Sequence, residues 1–113
     1  MALGLIEVYG FTTAIVVADA VAKAANVKIV ALDNNKPSPE VIKTVKVPLV
    51  MVVKFEGDVA AVEQAAEAGI AAAKERSMFI TSHIISRQES DTEKLAKRSA
   101  LGRDKLNTNF NNF

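Results

Sequence analysis

The sequence predicts an α/β sandwich in which helices cover mainly one face of a four-stranded antiparallel sheet. Its apolar residues occur in four short strand-like segments and at helical spacing in two longer ones, in the order β-α-β-β-α-β, with a short third helix after them. The chain has 113 residues, enough for one domain with a single two-layer core. Two β-α-β units that share one antiparallel sheet make a ferredoxin-like fold, β-α-β-β-α-β-α with the last helix.

The first half of the chain supplies two strands and an alanine-rich helix. Residues 3–9 are typical of a strand, and the second strand is expected at 27–32, almost without a loop before it. Thr12 or Thr13 is expected to cap the intervening helix, because a threonine hydroxyl can accept a free amide of the first turn. That helix runs to about Ala25, and small or β-branched residues form the face expected to contact the sheet: Ala14, Val17, Ala18, Val21 and Ala25.

The second half begins with an irregular segment. Residues 33–48 contain three prolines and two asparagines, which favour turns, and the alternating polarity of 40–47 suggests an irregular or edge strand. Residues 49–55 form the most apolar strand and are expected at the centre of the sheet. We expect one domain over 1–98, with 33–48 as an extended segment inside it, and a polar tail at 99–113.

Two helices and a strand complete the domain. Asp58 is expected to cap the longest helix, where its charge lies at the positive end of the helix dipole. The fourth strand is expected at 79–85, and Ser90 with Glu93 forms a capping box for a short third helix. The apolar face of the longest helix is predicted to consist of small residues: Val59, Val62, Ala65, Ala66, Gly69, Ala72 and Ala73.

Composition excludes several classes of function. The net charge of +1 gives no reason to expect a nucleic-acid partner. The absence of cysteine excludes disulfides, thiolate zinc sites, iron–sulfur clusters and cysteine nucleophiles, and the single histidine excludes a multi-histidine metal site within one chain. No targeting segment or membrane-spanning stretch is evident, so we expect a cytoplasmic protein without a membrane partner.

No constellation of residues predicts catalysis. His83 lies in strand-like sequence without an identifiable orienting carboxylate, so a packed or hydrogen-bonded structural role is expected. Glu63 and Glu67 lie one helical turn apart, and a solvated helix face explains them better than a pair of catalytic carboxylates does. We therefore expect no catalytic residue, no metal site and no cofactor.

Short motifs along the chain point to a family when they are taken together. An alanine-rich helix with Lys23 near its end is followed at once by a strand, and the matching segments keep their order and spacing. The sequence resembles the bacterial microcompartment shell family over roughly residues 2–32 and 49–98. The segments that carry the resemblance are Ala2–Glu7, Gly10, Ala14–Ile15, Ala18–Ala20, Lys23–Val27, Gly57–Val62, Ala68–Gly69, Ala71–Ala73 and His83–Arg87.

The resemblance implies a structural protein rather than an enzyme. Six subunits of such proteins close into a flat hexagonal tile, and the tiles meet edge to edge in the shell. Lys23 and Arg87 match the lysine and arginine of the seam between tiles, and Asn26 lies beside that lysine in sequence. The implied partners are copies of this chain, other shell proteins and possible enclosed enzymes.

The resemblance also implies a central pore lined by the loop between the second and third strands. This chain departs from the family there, because it has a longer, proline-rich segment and no glycine between Gly10 and Gly57. The candidate pore-lining residues are Asn34, Asn35, Lys36, Pro37 and Ser38. The proline-bearing loop of this chain resembles the loops of relatives associated with glycyl-radical enzyme compartments. Without cysteine, this chain cannot hold their iron–sulfur cluster.

The charge of this segment suggests what crosses the pore. Within 33–48, three lysines exceed the two acidic residues by one, and sixfold symmetry makes this a ring of about six positive charges. We therefore expect small polar or anionic metabolites to pass. A different class of function stays open, a trimeric small-molecule sensor on the same ferredoxin-like fold with 33–48 as its effector loop.

Overall fold

A computed structural model of the chain describes residues 1–35, 39 and 49–97. Its elements follow in the order β1 (Ala2–Tyr9), α1 (Phe11–Ala24), β2 (Lys28–Asn35), β3 (Val50–Gly57), α2 (Val59–Glu75), β4 (Phe79–Ile85) and α3 (Ser90–Ala96). The four strands form one antiparallel sheet in the order β2-β3-β1-β4. The predicted ferredoxin-like sandwich is therefore confirmed, and the most apolar strand, β3, is central as expected.

The core lies between the sheet and the helix pair α1 and α2. On β1, Ile6 and Val8 face the helices and are fully buried, whereas Leu5 and Glu7, which alternate with them, point to the other face and are half-buried. From the sheet, Met51, Val53 and Phe55 of β3 complete this core. From the helices, the buried residues of the core are Ala14, Val17, Val21, Val62, Ala65, Ala66 and Ala73.

Gly69 allows α2 to approach the sheet and α1 at the same point. A Cβ atom on Gly69 would lie 2.7 Å from both Ile6 Cδ1 and Val21 Cγ2, and 3.3 Å from Val17 Cγ1. No side chain larger than hydrogen fits at this position without moving its neighbours. The sandwich is thin as a result of such contacts, with principal extents of 38 × 37 × 20 Å.

The helix starts differ from those expected. Gly10 caps α1, its carbonyl accepting a hydrogen bond from the Ala14 amide, and neither Thr12 nor Thr13 does so. Thr13 is buried, and its hydroxyl accepts a hydrogen bond from Arg76 Nε at 3.3 Å. Asp58 precedes α2 as predicted but makes no side-chain capping bond.

The predicted capping box at α3 is wrong. Glu89 occupies the cap position and Ser90 is already the first helical residue. The hydroxyl of Thr92 donates to the carbonyl of Glu89 at 2.9 Å, so a different side chain contacts the helix start.

Two further expectations fail at element boundaries. Strand β2 continues to Asn35 rather than ending at residue 32, because Asp33, Asn34 and Asn35 pair with β3. Val59 was expected on the buried face of α2, but at the first position of the helix it is 38% exposed, whereas Val62 one turn later is fully buried. Within the described part of the chain, no helix is long and apolar enough to cross a membrane.

Candidate functional site

One end of the sandwich carries all three residues that were expected at a tile edge. Lys23 lies in the last turn of α1, and the backbone of Asn26 then reaches Gly57, where a Cβ atom would lie 3.1 Å from the Asn26 carbonyl oxygen. Gly57 ends β3 and pairs with Ala2 at the start of β1. Arg87 follows the end of β4, so the fold brings it to this same end.

Lys23 has a partner within its own helix. Its ammonium lies 2.7 Å from a carboxylate oxygen of Asp19, one turn earlier, and both side chains are largely exposed. Sequence reasoning missed Asp19 as part of this site. The four-residue spacing of an acid before a base on a helix was the signal that could have found it.

The turn that carries Arg87 is anchored through the next residue. Arg87 and Glu89 are exposed, whereas Gln88 between them is buried. The Gln88 backbone amide donates to the Met1 carbonyl at 3.3 Å, and its side-chain Nε2 donates to the same oxygen and to Glu56 Oε2, each at 3.4 Å. Nothing in the sequence pattern indicated this role for Gln88.

The opposite end of the sheet holds the described part of the candidate pore. Asn34 and Asn35 are exposed at the end of β2, roughly 23 Å along the strand from its start at Lys28. The other three candidates, Lys36, Pro37 and Ser38, lie outside the described residues, as does the predicted tail at 99–113. The structure therefore separates the candidate edge from Asn34 and Asn35 by the length of a strand.

Asp33, just before these asparagines, is held in the sheet by several contacts. Its Oδ2 lies 3.3 Å from the ammonium of Lys54 on β3, and its Oδ1 accepts a hydrogen bond from the Asn34 amide at 2.8 Å. The Lys54 and Asp33 side chains are only 12% and 25% exposed. Asp33 is therefore part of an ion pair on the sheet, not a loop carboxylate as its sequence position suggested.

The sheet face opposite α1 and α2 has an open depression of about 290 Å³. Its lining combines apolar and polar side chains: Leu5, Glu7, Val52, Thr81, Ser82 and His83. His83 is exposed there, so of its two expected roles, packed or hydrogen-bonded, the packed one is wrong. Among the residues that the structure describes, no group of three or more histidine, aspartate or glutamate side chains is placed to hold a metal ion.

Comparisons with known proteins agree on one family. Residues 2–88 match the family described as the BMC domain. The chain is 38% identical over 94 residues to the bacterial microcompartment shell protein PduA of Citrobacter freundii, which covers 83% of this chain and 89% of PduA. It is 42% identical over 92 residues to the shell protein EutK of Escherichia coli strain K12, covering 81% of this chain but 49% of EutK.

A solved structure shows the same fold. A microcompartment protein from Desulfitobacterium hafniense DCB superimposes with a TM-score of 0.66 at 29% sequence identity. The match covers 82% of this chain and 47% of that one, so the chain spans about half the length of this relative and of EutK.

Proposed function

Because the chain belongs to the BMC-domain family of bacterial microcompartment shell proteins, we propose that six copies of it close into a tile whose outer edge carries Lys23, Asn26 and Arg87. Like its relatives, which are shell proteins, the chain is a structural shell subunit and not an enzyme. It assembles with other shell proteins. Nothing in these relatives supports the alternative of a trimeric small-molecule sensor.

The observation that carries the tile proposal is the separation of two groups of residues along the sheet. Lys23, Asn26 and Arg87 share one end, while Asn34 and Asn35 lie at the other end of β2. A flat ring needs this polarity, because each subunit must present one end to the symmetry axis and the opposite end to the rim.

The chemistry of the rim residues suits a seam between tiles. The aliphatic stem of Lys23 can pack against a neighbour while its ammonium reaches carbonyl oxygens across the seam. The Arg87 guanidinium presents several donors in a fixed plane, which suits backbone carbonyls or carboxylates of an adjoining tile. Both side chains are exposed in the single subunit and are available for such contacts.

The inner end then forms a pore. The segment between β2 and β3 begins at Asn35 and returns at Val50, which pair with each other at this end of the sheet. Six copies of Asn34, Asn35, Lys36, Pro37 and Ser38 would surround the symmetry axis and admit small polar or anionic metabolites. Enzymes enclosed by the shell would use this route for substrates and products.

Lys23→Ala tests the edge assignment. The variant is expected to keep the six-subunit ring and to lose the ability to grow into sheets, because apart from its exposed pair with Asp19 this side chain would contact only neighbouring rings. Native mass spectrometry gives the mass of the ring, and negative-stain electron microscopy of the same sample shows whether a lattice forms.

Lys74→Ala is the matched control, since Lys74 is an exposed lysine in the last turn of α2, away from the proposed rim. It should form sheets as the unmodified chain does. Sheets that persist in Lys23→Ala would contradict the edge assignment, and a trimer in the unmodified chain would contradict the tile itself.

A further inference from the structure

Gln88 is the least expected residue of the proposed rim. It is 8% exposed, although the residues on both sides of it are exposed, and a buried glutamine in a short turn needs a specific reason. We propose that Gln88 is a positioning residue, which fixes the turn after β4 so that Arg87 points into the seam between tiles. This inference rests on the edge role proposed above for Arg87.

The hydrogen bonds of Gln88 join three parts of the sheet. Its backbone amide and its Nε2 both donate to the Met1 carbonyl, at 3.3 and 3.4 Å, which ties the turn to the start of β1. Nε2 also donates to Glu56 Oε2 at 3.4 Å, which ties the turn to the end of β3. The residue directly after Arg87 is therefore held by two strands at once.

The same bonds dictate the orientation of the amide. Within the described residues, Gln88 Oε1 is buried and has no hydrogen-bond donor. Rotating the side-chain amide by 180° would not give Oε1 a donor, because Oε1 would then face the Met1 carbonyl and the Glu56 carboxylate, which are both acceptors. The side chain thus keeps one orientation because of the two bonds that its nitrogen makes.

Such an anchor affects Arg87 through the backbone. With the Gln88 side chain bonded to both Met1 and Glu56, the turn has less backbone freedom, and the exposed Arg87 side chain next to it is positioned more narrowly. Binding across a seam then loses less conformational entropy than it would from a free turn. Gln88 itself is buried and does not need to touch the neighbouring tile.

Gln88→Met tests this role, because methionine has a similar volume and keeps the backbone bond to Met1 but cannot form the two side-chain hydrogen bonds. We expect the six-subunit ring to persist and the protein concentration needed for sheet formation to rise roughly tenfold, the effect of releasing about one backbone residue. Glu56→Gln is the conservative control. It keeps an acceptor for Gln88 Nε2 and should leave the concentration needed for sheet formation near that of the unmodified chain.

A double-mutant cycle distinguishes positioning from simple stabilisation. If Gln88 acts through Arg87, then Gln88→Met should add little to the effect of Arg87→Ala when the two are combined. The required readouts are the sheet-forming concentration by light scattering, the ring mass by native mass spectrometry and the thermal unfolding midpoint of each variant.

The outcomes separate the inference from the function on which it rests. If Arg87→Ala forms sheets normally, the edge role of Arg87 is wrong and the positioning role falls with it. If Arg87→Ala impairs sheets but Gln88→Met does not, or if the two effects add fully, only the positioning role is overturned. Loss of the ring in Gln88→Met would also overturn it, since the residue would then serve the subunit fold.

Discussion

The Lys23–Asp19 pair is suited both to a single subunit in water and to the proposed seam between tiles. In the single subunit the ammonium is neutralised at 2.7 Å by a carboxylate on the same helix. Exposed pairs of this spacing contribute only about 0.3–0.5 kcal/mol, so exchanging or sharing Asp19 with a partner across a seam costs little. Asp19 therefore orients the Lys23 side chain, but the pair is weak enough to be broken when a neighbouring tile binds.

Residue identity also determines the expected charge of the pore. Asp33 is paired with Lys54 on the sheet, so these two charges compensate each other. The remaining charged residues of 36–48, which lie outside the described residues, are three lysines and one glutamate, a difference of two positive charges. In the proposed ring, six copies of this stretch would carry about twelve positive charges, more than the simple count over 33–48 suggested.

We expect tiles in a planar lipid bilayer to conduct anions in preference to cations. Lys36→Gln should reduce this preference, because it removes about six charges near the axis. The measurement is the reversal potential under a salt gradient, with Lys28→Gln as a control, because Lys28 is exposed at the start of β2, a strand length from the inner end. A preference for cations in the unmodified protein would contradict the proposal.

At the scale of whole elements, hydrophobic spacing predicted which helix faces are buried, whereas it could not predict how each helix begins. Val62, Ala65 and Ala73 are buried as expected, because the period of the helix alone determines that they share a face. The start of α1 depends on Gly10, which receives a bond from Ala14 and donates one to Leu49. That second contact comes from distant sequence, so local capping rules favoured Thr12 or Thr13 instead.

At the candidate site, too, local sequence patterns predicted some residues, whereas others depend on contacts between distant parts of the chain. The resemblance predicted Lys23, Asn26 and Arg87, and the fold places them at one end, although their edge role stays a prediction. Asp19 could have been found from helical spacing, but Gln88 could not, because its partners Met1 and Glu56 are 87 and 32 positions away in sequence. Contacts of that range appear only once the strands are paired.

Gly69→Ala should destabilise the subunit, because the added methyl group would lie 2.7 Å from Ile6 Cδ1 and Val21 Cγ2. Alanine gains about 1 kcal/mol in helix propensity, but overpacking of a filled core costs about 1–3 kcal/mol. We expect a net loss of roughly 1 kcal/mol in the free energy of unfolding, measured by urea denaturation.

Ala71→Gly is the matched control for this helix, since Ala71 is exposed two residues further along α2. It should lose only the propensity difference of about 1 kcal/mol, with no effect from packing. A more stable Gly69→Ala protein would show that the neighbouring side chains move aside easily and that the close approach is not required.

The whole molecule is a thin slab that leaves apolar surface uncovered. Phe11 and Ile15, one turn apart on α1, are 46% and 45% exposed, and Val59 at the start of α2 is 38% exposed. Its helices contribute mainly alanine and valine to the core, so the subunit buries few large side chains. A subunit of this kind is expected to draw part of its stability from its neighbours.

The apparent thermal midpoint should therefore depend on protein concentration. A hundredfold increase is expected to raise it by about 5 °C or more, because association favours the folded subunit by mass action. Scanning calorimetry over that range, with the ring mass checked at each concentration, makes the measurement. A constant midpoint in samples that dissociate on dilution would contradict the prediction.

The position of residues 36–48 between Asn35 and Val50 has a consequence for how such a protein can diversify. The two flanking residues pair with each other at one end of the sheet, a strand length away from Lys23 and Asn26. If Lys23 and Asn26 lie at the tile edge as proposed, insertions, deletions and exchanges in this stretch leave that edge undisturbed. In the proposed tile, permeability and architecture are therefore properties of different parts of the chain, which can be engineered separately.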